Sequence, residues 1–208
     1  MYKTVIFDFD GTVADSLKTS LRIFNQISVD FGLPPLSPSQ KKEFRNQSAR
    51  ELIKQQKIPL LKLIRIVKAV QKETKKHLNE ISPIKGMTDV FKKLKKSGKK
   101  IGIITSNSKE NVQLFLKHHA ISEIDFIHSE SNLLGKAKVI KDLLKKQKLN
   151  SKEIIYIGDE VRDIEAAQRA GISVIAVTWG LNSKERLHKS KPDFLVSKPE
   201  EIVKLLMI

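Results

Sequence analysis

Asp8 and Asp10 stand one residue apart at the end of the apolar run Val5-Ile6-Phe7 and directly before Gly11-Thr12. Such a pair of carboxylates offers hard oxygen ligands to a divalent cation. It also gains from one, because neighbouring acids repel and raise each other's pKa. Alternate residues of a strand point to opposite faces, so both acids can serve one centre only if the chain bends, and Gly11 permits that bend. Three further groups follow. Thr105-Ser106-Asn107 carries hydroxyl and amide groups suited to phosphate oxygens, and Ser108-Lys109-Glu110 reads as a helix start whose positive end favours an anion. Gly135-Lys136 puts a cation at a helix N-terminus, which is unfavourable by roughly 0.3–1 kcal/mol, so Lys136 is expected to have an anionic partner. In Gly158-Asp159-Glu160-Val161-Arg162-Asp163, Asp159 is expected beside Asp8, completing an oxygen site suited to Mg²⁺. Asp163 and Glu160 would ligate through water or orient Lys136. Each group has a plainer alternative: acids closing a strand, an N-cap at Ser108, a surface lysine, and Asp163 as the N-cap of the next helix.

These residues can meet only if strand ends converge. Continuous apolar runs recur at Val5–Phe7, Ile101–Thr105, Ile124–Ile127, Ile154–Ile157 and Val174–Val177, with a weaker one at Asp193–Val196. Runs without polar alternation suit parallel strands covered on both faces. Helical patterns fit between them at Met87–Ser97, Lys109–His119, Lys136–Leu149, Asp163–Ala170 and Glu200–Leu206. The alternation predicts an α/β fold, a doubly wound parallel sheet in three layers, with ligands bound beyond the carboxyl ends of the strands.

One connection departs from this rhythm. From Asp15 to about Ile84 no strand-like run occurs, and a stretch of that length is not an ordinary loop. It shows helical stripes instead: Leu17, Leu21, Phe24, Ile27 and Phe31, then Leu60, Leu63, Ile64, Val67 and Val70 after Pro59. Ser37-Pro38-Ser39-Gln40 reads as a capping box, with Ser37 as N-cap and Gln40 reaching back. The expected organisation is a core of residues 1–14 and 86–208 with a small α-helical cap at 15–85.

With these motifs in hand, the chain resembles the haloacid dehalogenase superfamily, and within it phosphatases of the phosphoglycolate phosphatase type. Asp8-x-Asp10-Gly11-Thr12 with Asp15-Ser16 looks like the first family motif, Thr105 the second, Lys136 the third, and Gly158-Asp159-x-x-x-Asp163 the fourth. Ala137 follows Lys136 where many relatives have proline. The resemblance implies an Mg²⁺-dependent phosphatase: Asp8 attacks phosphorus to form an aspartyl-phosphate, and Asp10 protonates the leaving oxygen and then activates water. It also implies Mg²⁺ held by the Asp8 carboxylate, the Asp10 carbonyl and Asp159, with Asp163 in the metal-site set. Thr105 and Lys136 would hold phosphoryl oxygens, and Gly11, Thr12, Ser106 and Asn107 would complete the phosphate site. Phosphoglycolate-like monoesters are the implied substrates. A phosphosugar mutase of the same superfamily is a second reading, distinguished by phosphoryl exchange without net phosphate release.

The rest of the chain bears on partners. Its 208 residues carry a formal charge of +16, are 40% hydrophobic and contain no cysteine, so neither a disulfide framework nor a thiolate metal site is available. No apolar run approaches the ~20 residues of a spanning helix, and the opening residues show no signal-peptide pattern, so a soluble cytoplasmic protein is expected, as monomer or homodimer. The basic excess keeps a nucleic-acid-binding or regulatory role as an alternative from another class. Lys92, Lys93, Lys95, Lys96, Lys99 and Lys100, with Lys145, Lys146, Lys148 and Lys152, fall at the sheet edge away from the site and read as solubilising surface. Adjacent His118 and His119 diverge on a helix and read as C-terminal residues, not metal ligands. The cap is the more basic part, and Arg45, Asn46, Arg50, Lys54 and Lys57 lie on its middle segment. Arg45 and Asn46 are the expected substrate contacts there, implying a monoester with a second negative charge. Trp179-Gly180-Leu181-Asn182 either closes one wall of the site or buries a tryptophan beside the sheet.

Overall fold

The computed structural model describes residues 1–37, 39–40, 43, 45–47, 51, 59–129, 135–146 and 149–207, the side chain of Leu60 excepted. Six parallel strands form one sheet: β1 (Thr4–Phe7), β2 (Lys100–Thr105), β3 (Phe126–Ser129), β4 (Ile154–Gly158), β5 (Ser173–Val177) and β6 (Phe194–Val196). Their spatial order is β3-β2-β1-β4-β5-β6. The order reverses between β1 and β4, and in an open α/β sheet the crevice at that reversal is where ligands bind. Phe7 is level with Ile103 of β2 and Ile157 of β4, so the carboxyl ends of the three strands lie within two residues of one another.

Eight α-helices occur among the described residues: α1 (Leu17–Ile27), α2 (Leu60–Lys76), α3 (Met87–Lys96), α4 (Lys109–His118), α5 (Lys136–Lys146), α6 (Val161–Ala170), α7 (Lys184–Lys189) and α8 (Pro199–Leu206). Neighbouring strand residues face opposite sides, and both sides are buried. Val5, Phe7, Ile101, Ile103, Ile155 and Ile157 pack with α3, α4 and α8, where the Phe7 and Phe91 rings meet edge to face with centroids 5.1 Å apart. Ile6, Ile104, Tyr156 and Val174 pack with α5, α6 and α7 on the other side. This two-sided burial explains the unbroken apolar runs.

The α/β class and strand positions agree with expectation, with β3 two residues later than its apolar run suggested. Helix α6 starts at Val161, not at Asp163. Its N-cap is Glu160, and Asp163 sits inside the first turn, where its carboxylate accepts the Glu160 N–H at 3.1 Å. The α1 stripe is also shifted: Ile23 is fully buried and Thr19 nearly so, whereas Leu17, Leu21, Phe24, Ile27 and Phe31 are half-buried. On α2 the deepest apolar residue is Ile66, not one of the expected set. Ser37 and Gln40 do exchange capping bonds, Ser37 N–H to Gln40 Oε1 at 2.8 Å and Gln40 N–H to Ser37 Oγ at 3.2 Å. Pro38, Arg50, Lys54, Lys57 and Lys148 lie outside the described residues.

The helical insert joins the core through two adjacent crossings. Asp15 N–H donates to Ser82 O at 2.9 Å and Ile84 N–H to Val13 O at 2.8 Å, with Ala14 bridging Pro83. A third tether comes from α2: Gln71 Nε2 donates to Ser106 O at 2.5 Å, and Asn111 Nδ2 donates to Gln71 O at 2.8 Å. Among the described residues, the cationic clusters at the far sheet edge are exposed except at one position. Lys99 is 5% exposed and its ammonium donates to Tyr2 O at 2.7 Å, so it satisfies a carbonyl at the sheet's start and is not solvated surface. His119 sits just past the end of α4 with Nε2 2.9 Å from Ile81 O. No described helix is long and apolar enough to cross a membrane.

Candidate active site

Asp8 continues the β1 ladder by one residue, its N–H donating to Ile157 O at 2.8 Å, and its carboxylate is buried at the sheet's reversal point. The chain then turns back on itself. Val13 and Ala14 N–H both donate to Phe9 O at 2.9 Å, and Gly11 N–H donates to Ala14 O at 2.9 Å. Gly11 adopts φ +78°, and a Cβ there would overlap the Asp159 carboxylate. The turn therefore requires glycine for two independent reasons. It also carries Asp10 around to a second partner set: Ser16 Oγ donates to Asp10 Oδ1 at 2.7 Å and Asn107 Nδ2 to Asp10 Oδ2 at 3.1 Å.

Asp159 follows β4 and is fully buried. Thr12 Oγ1 donates to its Oδ1 at 2.7 Å and Leu181 N–H to its Oδ2 at 2.7 Å. The Leu181 contact comes from the loop after β5, where Gly180 lies against Asp159 so closely that a Cβ would collide with it. Trp179, half-buried, braces the same loop by donating Nε1–H to Thr12 O at 3.2 Å. Thus the two readings of this segment combine: the tryptophan packs on the core, and the residues after it form a wall of the site. Replacing Gly180 with alanine is expected to displace Asp159 at a cost of about 1–3 kcal/mol. Denaturant unfolding reports the stability loss, and a weakened rise of melting temperature on adding Mg²⁺ reports the displaced carboxylate.

Lys136, at the first turn of α5, has the anionic partners its position demanded. The residue is 5% exposed, and its ammonium donates to Asp8 Oδ1 at 3.0 Å, bonds Asp163 Oδ1, and lies 5.4 Å from the Tyr156 ring centroid. Burial alone would lower its pKa, but Asp163 and Asp8 outweigh that and hold it well above the ordinary lysine range. Arg162 adds a second cation. It donates to Glu160 Oε1 at 2.6 Å, while its Nε and Nη1 atoms are buried with no partner.

The electrostatics favour a bound cation. Burial pushes the Asp8 carboxyl up to about 7, opposed by Lys136 and reinforced by Asp163. Burial and the charges of Glu160, Asp8 and Asp163 push Asp159 well above the usual carboxylate range. Oxygens of Asp8, Asp159 and Asp163 lie within 4.8 Å of one another, and Asp8 Oδ2 is buried with no hydrogen-bond partner. A divalent cation with hard oxygen preference fits this donor set, since it would offset the excess of buried negative charge and use the orphaned oxygen.

The structure brings Asp8, Asp10, Gly11, Thr12, Asp159, Asp163 and Lys136 together. Thr105 is buried, and its Oγ1 accepts the Asn107 N–H at 2.9 Å, leaving its own proton without an acceptor among the described residues. Ser106 and Asn107 line a cavity beside Asp10. Arg45 is exposed, and what it contributes here is its carbonyl, which accepts the Ser183 N–H at 2.7 Å; Asn46 is exposed as well. Ser16 had no role of its own assigned from sequence, and Gly180 and Asn182 were read only as members of the segment 179–182. Ser16 stood within the first motif, and that was its one signal. Asn182, fully buried, ties the loop together by accepting the Val161 N–H at 2.8 Å.

Comparison with known proteins places this geometry in a family context. The model of the haloacid dehalogenase-like hydrolases matches residues 5–177. Over 202 residues the chain is 29% identical to a phosphoglycolate phosphatase of Synechococcus elongatus, covering 97% of this chain and 95% of that one. It is 26% identical over 217 residues to pyrophosphatase PpaX of Bacillus cereus, covering 98% and 95% respectively. Among solved structures, a protein described as a predicted phosphatase from Clostridium acetobutylicum superposes with a TM-score of 0.86 at 22% identity, covering 100% of this chain and 99% of that one.

Proposed function

The chain belongs to the haloacid dehalogenase-like hydrolases, and on that footing we propose that it is a phosphatase that hydrolyses a small phosphate monoester through a phosphoenzyme on Asp8, with residues 15–85 as the cap over the site. The observation that carries this reading is the pairing of two differently placed acids. Asp8 has a buried oxygen without a partner, and Asp10 is held by Ser16 and Asn107 beside a cavity.

An Asp8 carboxylate oxygen attacks phosphorus in line, the bond from phosphorus to the ester oxygen breaks, and Asp10 delivers its proton to that oxygen. Burial raises the Asp10 carboxyl against the opposing bonds from Ser16 and Asn107, which favours the protonated form an acid needs. The resulting Asp10 carboxylate then takes a proton from water as the water attacks phosphorus. The bond to Asp8 breaks and inorganic phosphate leaves. Thr105 Oγ–H and Lys136 hold the non-bridging oxygens. Asp8 and Asp159, with the Asp10 main-chain carbonyl, would hold Mg²⁺, which when bound neutralises charge on the carboxylates and the phosphoryl group. Asp163 acts from behind by orienting Lys136, since its two oxygens already receive Lys136 and the Glu160 N–H.

Phosphate release from a panel of phosphomonoesters, measured with Mg²⁺ and after chelation, tests the reading. Release that depends on Mg²⁺ is the expected result, and Mg²⁺ alone should raise the melting temperature by linkage. Exchange of phosphoryl groups between sugars without net phosphate release would point to a mutase, and no turnover of any monoester would overturn the proposal.

A further inference from the structure

The alcohol of a phosphate ester departs on the side of the acid that protonates it, so the space beside Asp10 selects the leaving group. Asp10 lines a cavity of about 260 Å³ between the insert and the core. On the insert side the apolar wall is Phe24 of α1 with Leu63, Ile66, Val67 and Val70 of α2, and Ser20, Gln71 and Thr74 lie at its margin. Of the polar groups near Asp10, Asn107 binds Asp10, Ser108 N–H and Asn111, and the Gln71 amide nitrogen binds Ser106 O; the hydroxyl residues Ser20, Thr74 and Ser106 complete the polar part of the lining. Arg65, Lys68, Lys72, Lys75 and Lys76 of α2 are exposed, and Lys75 pairs with Glu110. No lysine or arginine lines the cavity among the described residues.

We propose that the substrates are phosphate monoesters of uncharged, largely apolar alcohols of several carbons, not monoesters bearing a carboxylate or many hydroxyls. This inference rests on the phosphatase reading above and replaces the second negative charge expected from Arg45. Aliphatic walls stabilise each added methylene by transfer from water, whereas a carboxylate entering the same space exchanges its hydration for a few hydroxyls and meets no cation among the described lining residues.

Ethyl, butyl and hexyl phosphate separate the terms, because their leaving alcohols differ in apolar area and hardly in basicity. With Mg²⁺ present, kcat/KM is expected to rise roughly fourfold per methylene until the cavity is filled. Butyl phosphate should exceed both 2-phosphoglycolate and glucose 6-phosphate by at least about tenfold. Val67→Lys should reverse the ratio of butyl phosphate to 2-phosphoglycolate, an inversion that simple loss of folded protein cannot produce. A flat alkyl series, or a preference for 2-phosphoglycolate or the sugar phosphate by the wild-type protein, would overturn the inference and leave the phosphatase reading standing. Absence of release from every ester would overturn both.

Discussion

Asp8→Asn is expected to lower phosphate release by about four orders of magnitude or more while leaving the protein folded, in line with the loss of a covalent nucleophile elsewhere. Asparagine has nearly the same shape, but its amide cannot take the place of a carboxylate oxygen at phosphorus. The structural cost is small by the same geometry. Lys136 keeps its bond to Asp163, and the substitution removes one negative charge from a buried cluster that holds an excess of them. Without metal, the melting temperature should therefore hold or rise. Activity within about tenfold of wild type would remove Asp8 from the nucleophile's role, and a clear fall in melting temperature would show that the residue acts in folding instead.

Lys136→Met should have the largest effect on stability. Methionine preserves much of the apolar stem and deletes the charge, so Asp8 and Asp163 remain buried without the ammonium between them. Breaking a buried ion pair from one side costs about 3–5 kcal/mol. For a chain of this size that is a fall in melting temperature of roughly 6–20 °C. Mg²⁺ should restore part of the loss, because it supplies positive charge to the same carboxylates. The rate should fall by about 10²–10³ beyond any loss of folded protein, since a phosphoryl oxygen loses its cation. Thermal unfolding with and without Mg²⁺, beside kcat measured on folded protein, separates the two effects. Lys136→Arg should rescue neither fully, because a planar guanidinium does not fit the space of a compact ammonium.

Much of this site was legible in the chain because its chemistry sits on strand-to-helix junctions, where local pattern fixes the position. The run before Asp8 and the one before Asp159 marked strands, and their alternation with helices brought the strand ends together. Other features depended on contacts across long sequence distances. Gly180 gave no signal of its own, since its need for a missing Cβ comes from Asp159, a residue on another strand. Lys99 looked like its exposed neighbours until the fold set its ammonium against Tyr2 O. The insert helices misled for a different reason. Helix α2 offers apolar residues on more than one face, and periodicity cannot distinguish the face that packs from the face that lines a cavity. Ile66, outside the expected stripe, is the deepest apolar residue of α2, and Val67, inside it, lines the cavity.

The loop after β5 has a consequence for how the two halves communicate. On one side Leu181 N–H grips the Asp159 carboxylate, and on the other Asn182 Nδ2 donates to Gln47 O at 3.1 Å and Ser183 N–H to Arg45 O. A single short stretch of backbone thus holds the carboxylate proposed for the metal site on one side and residues 45–47 of the insert on the other. Whatever free energy the ion contributes toward seating that segment, the seated segment must return in equal measure to ion affinity. On the proposed metal site, ion occupancy and the docking of residues 45–47 against this loop would therefore be two readings of one equilibrium.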